Sequence, residues 1–311
     1  MKRKKINLAV IFYGNPEQLP ANREQFSDLK KNLFDFNLKK YDFNKGERQK
    51  LLNDFKKKKI DVVLKNSYGR GHESDIESFL ELNKIPYFGS NAKVTFLGTS
   101  KSLAKEIFRL AKLPVAKDVY VNKKIWNKSK AKIIKQVKEK IIIPCLIKDI
   151  GGTDSRGISV IKNNKQVERF LDQAVSKYGG VIVEQYIKNA YEATCLVVGN
   201  KNPIAYEPVG LIKKEEIISG KIKDQGIKTE IPANLPKTVI KQIKKLSIFA
   251  HKALGCKTFS RSDILVKNKK LYLIEVDVHP GFRSVSPTSL SAKYAGQSLN
   301  QLFLEFYKLI K

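Results

Sequence analysis

Three acidic residues and one arginine fall close together near the C-terminus, on two strand-like stretches. These are Phe259-Ser260-Arg261-Ser262-Asp263 and Leu273-Ile274-Glu275-Val276-Asp277-Val278-His279-Pro280-Gly281. Residues i and i+2 of a strand face the same side, so Arg261 shares a face with Asp263, and Glu275 with Asp277. The short turn Lys267-Asn268-Lys269-Lys270 makes the two stretches antiparallel neighbours. Carboxylates gathered on one patch of sheet repel one another. A hard divalent cation, Mg2+ or Mn2+, neutralises such a cluster through carboxylate and phosphate oxygens. The other reading is an exposed strand face with paired charges. The apolar flanks Ile264-Leu265-Val266 and Tyr272-Leu273-Ile274 argue for burial, where unneutralised acids are costly, and favour the metal site.

Two further elements could hold a nucleotide. Lys148 ends an apolar strand and is followed by the glycine-rich loop 151–157. A lysine there reaches a phosphate, and backbone amides of such a loop cap one. No G-x-x-x-x-G-K-[ST] sequence occurs, so the loop is not of the Walker type. Lys101 stands in the first turn of the helix after Gly98; by itself it is one lysine among many. Val183-Glu184-Gln185-Tyr186-Ile187 ends another strand, with Glu192 beyond it. Its backbone can pair with an adenine edge, and Glu192 can take two ribose hydroxyls. A plain strand and turn is the alternative for that stretch.

The elements that must place these groups alternate. Strands read at Ile6–Tyr13, Asp61–Leu64 and around Tyr87, with a helix at Glu73–Asn83 between the last two. That order predicts a small parallel α/β lobe ending near residue 92. A second lobe, to residue 180, holds a helix at Thr99–Lys112, a strand at Val119–Val121, a lysine-rich helix at Lys128–Lys140, strands at Ile141–Lys148 and Ile158–Ile161, and a helix at Gln166–Tyr178. The third lobe, 181–311, opens with strands at Val181–Tyr186, Ala193–Val198 and Pro203–Val209. A long loop or flap at 211–234 follows. The apolar phase of Pro236–Leu254 gives a helix capped by Gly255, then come the two acid-bearing strands and a last helix burying Leu302, Phe303 and Phe306.

The chain has 311 residues, 42% of them hydrophobic, enough for a sizeable core. Its net charge is +30, from 60 basic against 30 acidic residues, but only nine of the basic residues are arginine. Nucleic-acid surfaces favour arginine forks and aromatic interleaving. Scattered lysine reads instead as a solvated surface whose field favours anionic substrates, and no nucleic-acid partner is expected. Apolar runs fall far short of the roughly 20 residues that span a bilayer, so a cytoplasmic protein is expected. Cys145, Cys195 and Cys256 lie far apart in apolar contexts and read as buried thiols, neither zinc ligands nor disulfides.

The order of these elements resembles the ATP-grasp ligases, and among them the D-alanine–D-alanine ligase family. The resemblance runs from Ile60 to Lys311. It is carried by Tyr68-Gly69-Arg70-Gly71-His72-Glu73-Ser74-Asp75, Ile85-Pro86-Tyr87-Phe88-Gly89-Ser90, and Leu254-Gly255-Cys256-Lys257 with Arg261 and Asp263. The Glu275-to-Gly281 strand end completes it. The last two stretches match an R-x-D strand followed by an E-x-N-x-x-P-G strand end.

The resemblance implies a three-lobed α/β fold with ATP between the second and third lobes. Lys101 and Lys148 would contact phosphates, Glu184, Gln185 and Ile187 would line the adenine, and Glu192 would hold the ribose. Asp263, Glu275 and Asp277 would bind Mg2+. Arg261 and the Gly281 N–H would hold an oxyanion, and Ser286 would receive the acceptor's carboxylate. Glu17 is a displaced candidate for the first substrate's ammonium, and the flap would close over an acyl phosphate. The implied product is a cell-wall precursor peptide, made from small amino-acid or peptide substrates by an enzyme that is often a homodimer.

Departures cluster on the substrate side. Tyr68 stands where the family has histidine, the loop after Lys148 is degraded, Asp277 replaces an asparagine, and Arg283 occupies a small-residue position. Arg283 and Arg156 could then recognise an extra carboxylate or phosphate. A ligase for another amino acid or peptide, a non-catalytic nucleotide-binding relative, and a polyanion-binding protein are the competing expectations.

Overall fold

A computed structural model describes residues 4–14, 19–68, 74–151, 157–212 and 228–311. The first sheet is parallel, in the order β2 (Phe36–Asp42), β1 (Ile6–Gly14), β3 (Val62–Tyr68). Its central strand is apolar on both faces because both are covered. Leu8, Val10 and Phe12 join one core, and Ala9 and Ile11 join another. Helices α1 (Leu19–Asn32), α2 (Arg48–Lys56) and α3 (Asp75–Leu82) accompany it.

Two helices follow, α4 (Ala92–Thr99) and α5 (Lys101–Leu110). The second sheet is antiparallel, in the order β4 (Asp118–Asn122), β7 (Gly180–Gln185), β5 (Cys145–Asp149), β6 (Ile158–Ile161). Helices α6 (Lys123–Lys140) and α7 (Val167–Tyr178) close its core around Trp126, Val137, Leu171 and Val175.

The third sheet runs β11 (Lys228–Glu230), β10 (Val209–Ile212), β8 (Tyr191–Val198), β12 (Phe259–Lys267), β13 (Lys270–Asp277), with β9 (Ile204–Ala205) paired to β8. One face carries Ala193, Cys195, Ile264 and Val266. It packs on α8 (Lys237–Leu254) through Val239, Ile243, Leu246 and Ala250, and also on Ala104 and Phe108 of α5. The other face brings Leu196, Val198 and Phe259 into the core of the parallel sheet. Phe303 and Phe306 of the last helix, α10 (Leu299–Leu309), share that core, and α9 (Pro287–Tyr294) precedes it. Two lobes therefore bury one apolar volume in common.

The structure corrects several expected boundaries. The strand expected at 141–148 begins at Cys145, because Pro144 has no N–H to give a ladder. Pro208 likewise splits the expected 203–209 strand into β9 and the start of β10. The ends of the expected 211–234 loop are strands, Leu211 pairing with Thr229; residues 213–227 lie outside the described residues. Strand β2 and helices α1, α2, α4 and α9 were not expected. The three cysteines are free and buried, and burial pushes the Cys145 thiol up to about 11.

Candidate active site

Antiparallel pairing places the four C-terminal charges on one face. Arg261 lies opposite Asp277 and Asp263 opposite Glu275, just before a register shift at Asp263/Ile264. Arg261 donates to both oxygens of Asp263, from Nε and Nη2, each at 2.9 Å. Its Nη2 also lies 3.3 Å from Asp277 Oδ2. Thr194, opposite Asp263 on β8, donates its hydroxyl to Asp263 Oδ1 at 2.8 Å. The His279 N–H donates to Asp277 Oδ1 at 2.9 Å.

The electrostatics of the patch are unbalanced. Burial first, then Glu275 and Asp263, raise the Asp277 carboxyl above its ordinary value despite Arg261. Arg261 keeps its proton firmly because the acids around it outweigh the cost of burial. Among the described residues, no three His, Cys, Asp or Glu side chains are grouped so as to hold a metal ion by themselves; Arg261 stands among the acids. The donor set is nevertheless all hard oxygen, with an acid surplus that burial makes costly. It fits a divalent cation whose remaining ligands are phosphate oxygens.

A lysine comes to this face from another direction. Lys101 is the first residue of α5, its N–H donates to Ile150 O at 3.1 Å, and its ammonium lies 3.8 Å from Glu275 Oε2. One residue thus touches both the loop after β5 and the acid-bearing strand β13.

Lys148 meets Glu184 by the register of β5 and β7, which sets Leu146 opposite Glu184 and Lys148 opposite Ile182. The buried Glu184 carboxylate binds the Lys148 ammonium on one oxygen and the Lys105 ammonium, at 2.5 Å, on the other. Lys105 also lies 2.7 Å from Asp118, which pairs with Arg109. Burial favours protonation of Glu184, but the two lysines prevail and hold its pKa at about 2. The Glu184 side chain is therefore engaged by lysines, and only the backbone after it remains for a base edge. Gln185 donates its N–H to Lys117 O at 2.8 Å, and Ile187 is buried.

Glu192 lies on β8 opposite both Leu265 and Leu211. Gly281 follows β13, its carbonyl accepting from the Thr288 hydroxyl. Ser286 is the N-cap residue of α9 and donates its N–H to Arg283 O at 2.8 Å. Arg283 turns to α1, with Nη2 3.0 Å from Glu24. Glu17, Arg156 and most of the loop at 151–157 lie outside the described residues.

Lys105 was missed in the sequence. Its signal is its spacing: four residues from Lys101, on the helix face that buries Ala104 and Phe108. Asp118, Thr194, Glu77 and the side chain of His279 were missed as well.

Two antiparallel sheets, with Lys101 of α5 beside the acid-bearing strand pair, are the arrangement of the ATP-grasp class. Solved structures carry the same fold. A D-alanine–D-alanine ligase from Bacillus anthracis complexed with ATP matches with a TM-score of 0.79 at 22% identity, covering 98% of this chain and 97% of that one. The VanG D-Ala:D-Ser ligase from Enterococcus faecalis matches at 0.81 and 22%, covering 99% and 100%. The family model for the D-ala D-ala ligase C-terminus matches residues 107–308. The D-alanine–D-alanine ligase of Acetivibrio thermocellus is 31% identical over 79% of this chain and 67% of its own length. Ligase B of Clostridium tetani is 28% identical over 98% and 94%. The chain belongs to the D-alanine–D-alanine ligase family. Among the described residues, no helix is long and apolar enough to cross a membrane.

Proposed function

We propose that the chain is an ATP- and Mg2+-dependent ligase that joins D-alanine to D-alanine through an acyl phosphate. The observation that carries this reading is the approach of Lys101 to Glu275. It sets an ammonium beside an acid of β13, an arrangement that supports transfer of a terminal phosphoryl group.

In this reading the chain works as three lobes divided near residues 92 and 180, with α4 and α5 reaching from the second onto the third. Lys101 and Lys148 hold phosphates, the backbone at Gln185 and Ile187 faces the adenine, and Glu192 takes the ribose. Asp263, Glu275 and Asp277 are the residues that would hold Mg2+, which when bound neutralises the transferring phosphate. A substrate carboxylate attacks the γ-phosphate, whose bond to the β-phosphate oxygen breaks to release ADP and leave an acyl phosphate. The second substrate's amine then attacks the acyl carbonyl, Arg261 with the Gly281 N–H stabilises the resulting oxyanion, and its collapse expels inorganic phosphate as the nitrogen gives up a proton, leaving the peptide bond. Ser286 receives the acceptor's carboxylate, and Glu17 the first ammonium. The reaction runs in the cytoplasm on precursors of the cell wall, in a homodimer.

Phosphate release from ATP, measured over D- and L-amino acids with the product weighed by mass spectrometry, tests this. Release with D-alanine and a dipeptide mass are expected. Release with no amino acid, or only with an L-series substrate, would overturn the D-alanine reading.

A further inference from the structure

The exit of β13 is tied to the parallel-sheet lobe by buried charge. Glu77 of α3 is 1% exposed, Lys65 of β3 6%, and His279 13%. Glu77 Oε1 lies 3.1 Å from the Lys65 ammonium and 3.0 Å from His279 Nε2. The Thr95 hydroxyl of α4 is 3.4 Å from the same ring nitrogen. Three successive elements, β3, α3 and α4, meet at the imidazole of a residue far along the chain.

Such a cluster is hard to account for by stability. Each buried charge is costly to desolvate, and well-packed apolar side chains do as well or better. What it does supply is position. The His279 ring lies at ion-pair distance from the buried Glu77 carboxylate, while the residue's backbone N–H holds Asp277 Oδ1. Three residues on, the Phe282 N–H donates to Gln25 Oε1 at 2.9 Å, and Gln25 is bonded to Asn66 of β3 at 2.8 Å. Gly281, between these two ties, belongs to no strand or helix.

We infer that Glu77, acting through His279, is a positioning residue for the ligase reaction: it locks residues 277–281 so that the Asp277 carboxylate and the Gly281 amide keep their places. This rests on the ligase reading for its chemistry, but the lock is a property of the protein alone. A reacting group misplaced by about 1 Å loses about a hundredfold in rate, so a lock of this kind acts on kcat.

The test uses an all-apolar triple variant, Lys65→Met/Glu77→Met/His279→Leu, beside Glu77→Gln, which stays informative if the triple variant does not fold. Hydrogen exchange of the free protein comes first, because it needs no substrate. Peptides covering 278–285 should exchange about tenfold faster in either variant while those of β12 stay unchanged. In turnover, kcat should fall about tenfold or more with the KM for ATP held within about twofold. His279→Gln, which keeps a donor toward Glu77, should recover most of the rate that His279→Leu loses. A folded triple variant with wild-type exchange at 278–285, or with wild-type kcat, would overturn the proposal. An inactive wild-type protein would count against the ligase reading alone, and the exchange result would still decide the lock.

Discussion

The guanidinium of Arg261 grips the carboxylate of Asp263 with two parallel hydrogen bonds from two positions away on the same strand. A planar fork makes this contact and an ammonium does not. Arg261→Lys is therefore expected to lower turnover by about 10²–10³-fold, the range for losing an oxyanion donor, in a phosphate-release assay. Arg261→Ala goes further. It takes the Arg261 charge from a buried Asp263 and a half-buried Asp277, at about 3–5 kcal/mol, and a fall in Tm of several degrees should report it.

Acid should weaken the fold in two overlapping windows. His251 is buried between Ser260 Oγ and the Gly199 carbonyl, and burial lowers its pKa from 6.5 to about 4. Its neutral ring supports the fold fully above pH 6.5, and that support is lost as the pH falls toward 4. Glu184 is shifted down from 4.5 to about 2, so its contribution is present above pH 4.5 and lost on the way to 2. Each shift corresponds to about 3 kcal/mol. Urea titrations at stepped pH should show both losses. His251→Gln should flatten the first and Glu184→Gln the second.

Lys105 and Lys148 share Glu184 yet should respond differently to removal. Lys105 is enclosed with Asp118 and Glu184. Lys105→Met should act mainly on stability, by about 3–5 kcal/mol, because two buried acids lose a partner. Lys148 is the last residue but one of β5, just before the loop beginning at Ile150. Lys148→Met should weaken ATP binding, measured by calorimetry, at least tenfold while lowering Tm less than Lys105→Met does.

Some of this was written plainly in the chain and some was not. Arg261, Asp263, Glu275 and Asp277 could be placed together because strand alternation and one tight turn fix their face, and both rules are local. Lys105 could not be told from the many solvated lysines, since its partners Asp118 and Glu184 lie on strands that meet it only after folding. The tie of Lys65 and Glu77 to His279 spans more than two hundred residues and has no local signature. Helix α1, with few apolar residues, gives too weak a stripe to be read, and small residues in α4 and α9 hide theirs. Glu184 was expected to line the adenine through the backbone of its strand end; that its side chain goes to two lysines had no local signal, because a buried carboxylate takes its counter-charge from strands and helices that meet only after folding.

Gly98 has no chemistry of its own. It lies in α4, where an added Cβ would stand 2.7 Å from Val278 Cγ1, closer than any real contact. Val278 is 1% exposed and sits between Asp277 and His279. Its branched side chain has little rotamer freedom to retreat, so Gly98→Ala must move backbone at the end of β13. Overpacking of this kind costs about 1–3 kcal/mol. The same shift displaces Asp277 and Gly281, so kcat should fall about tenfold or more. The KM for ATP should change little, because Lys148 and Glu184 belong to another sheet. The double variant Gly98→Ala/Val278→Ala removes the colliding methyl groups and should recover most of the lost kcat, though not all of the stability. Failure of that rescue, with both variants folded, would mean that Gly98 acts through something other than Val278.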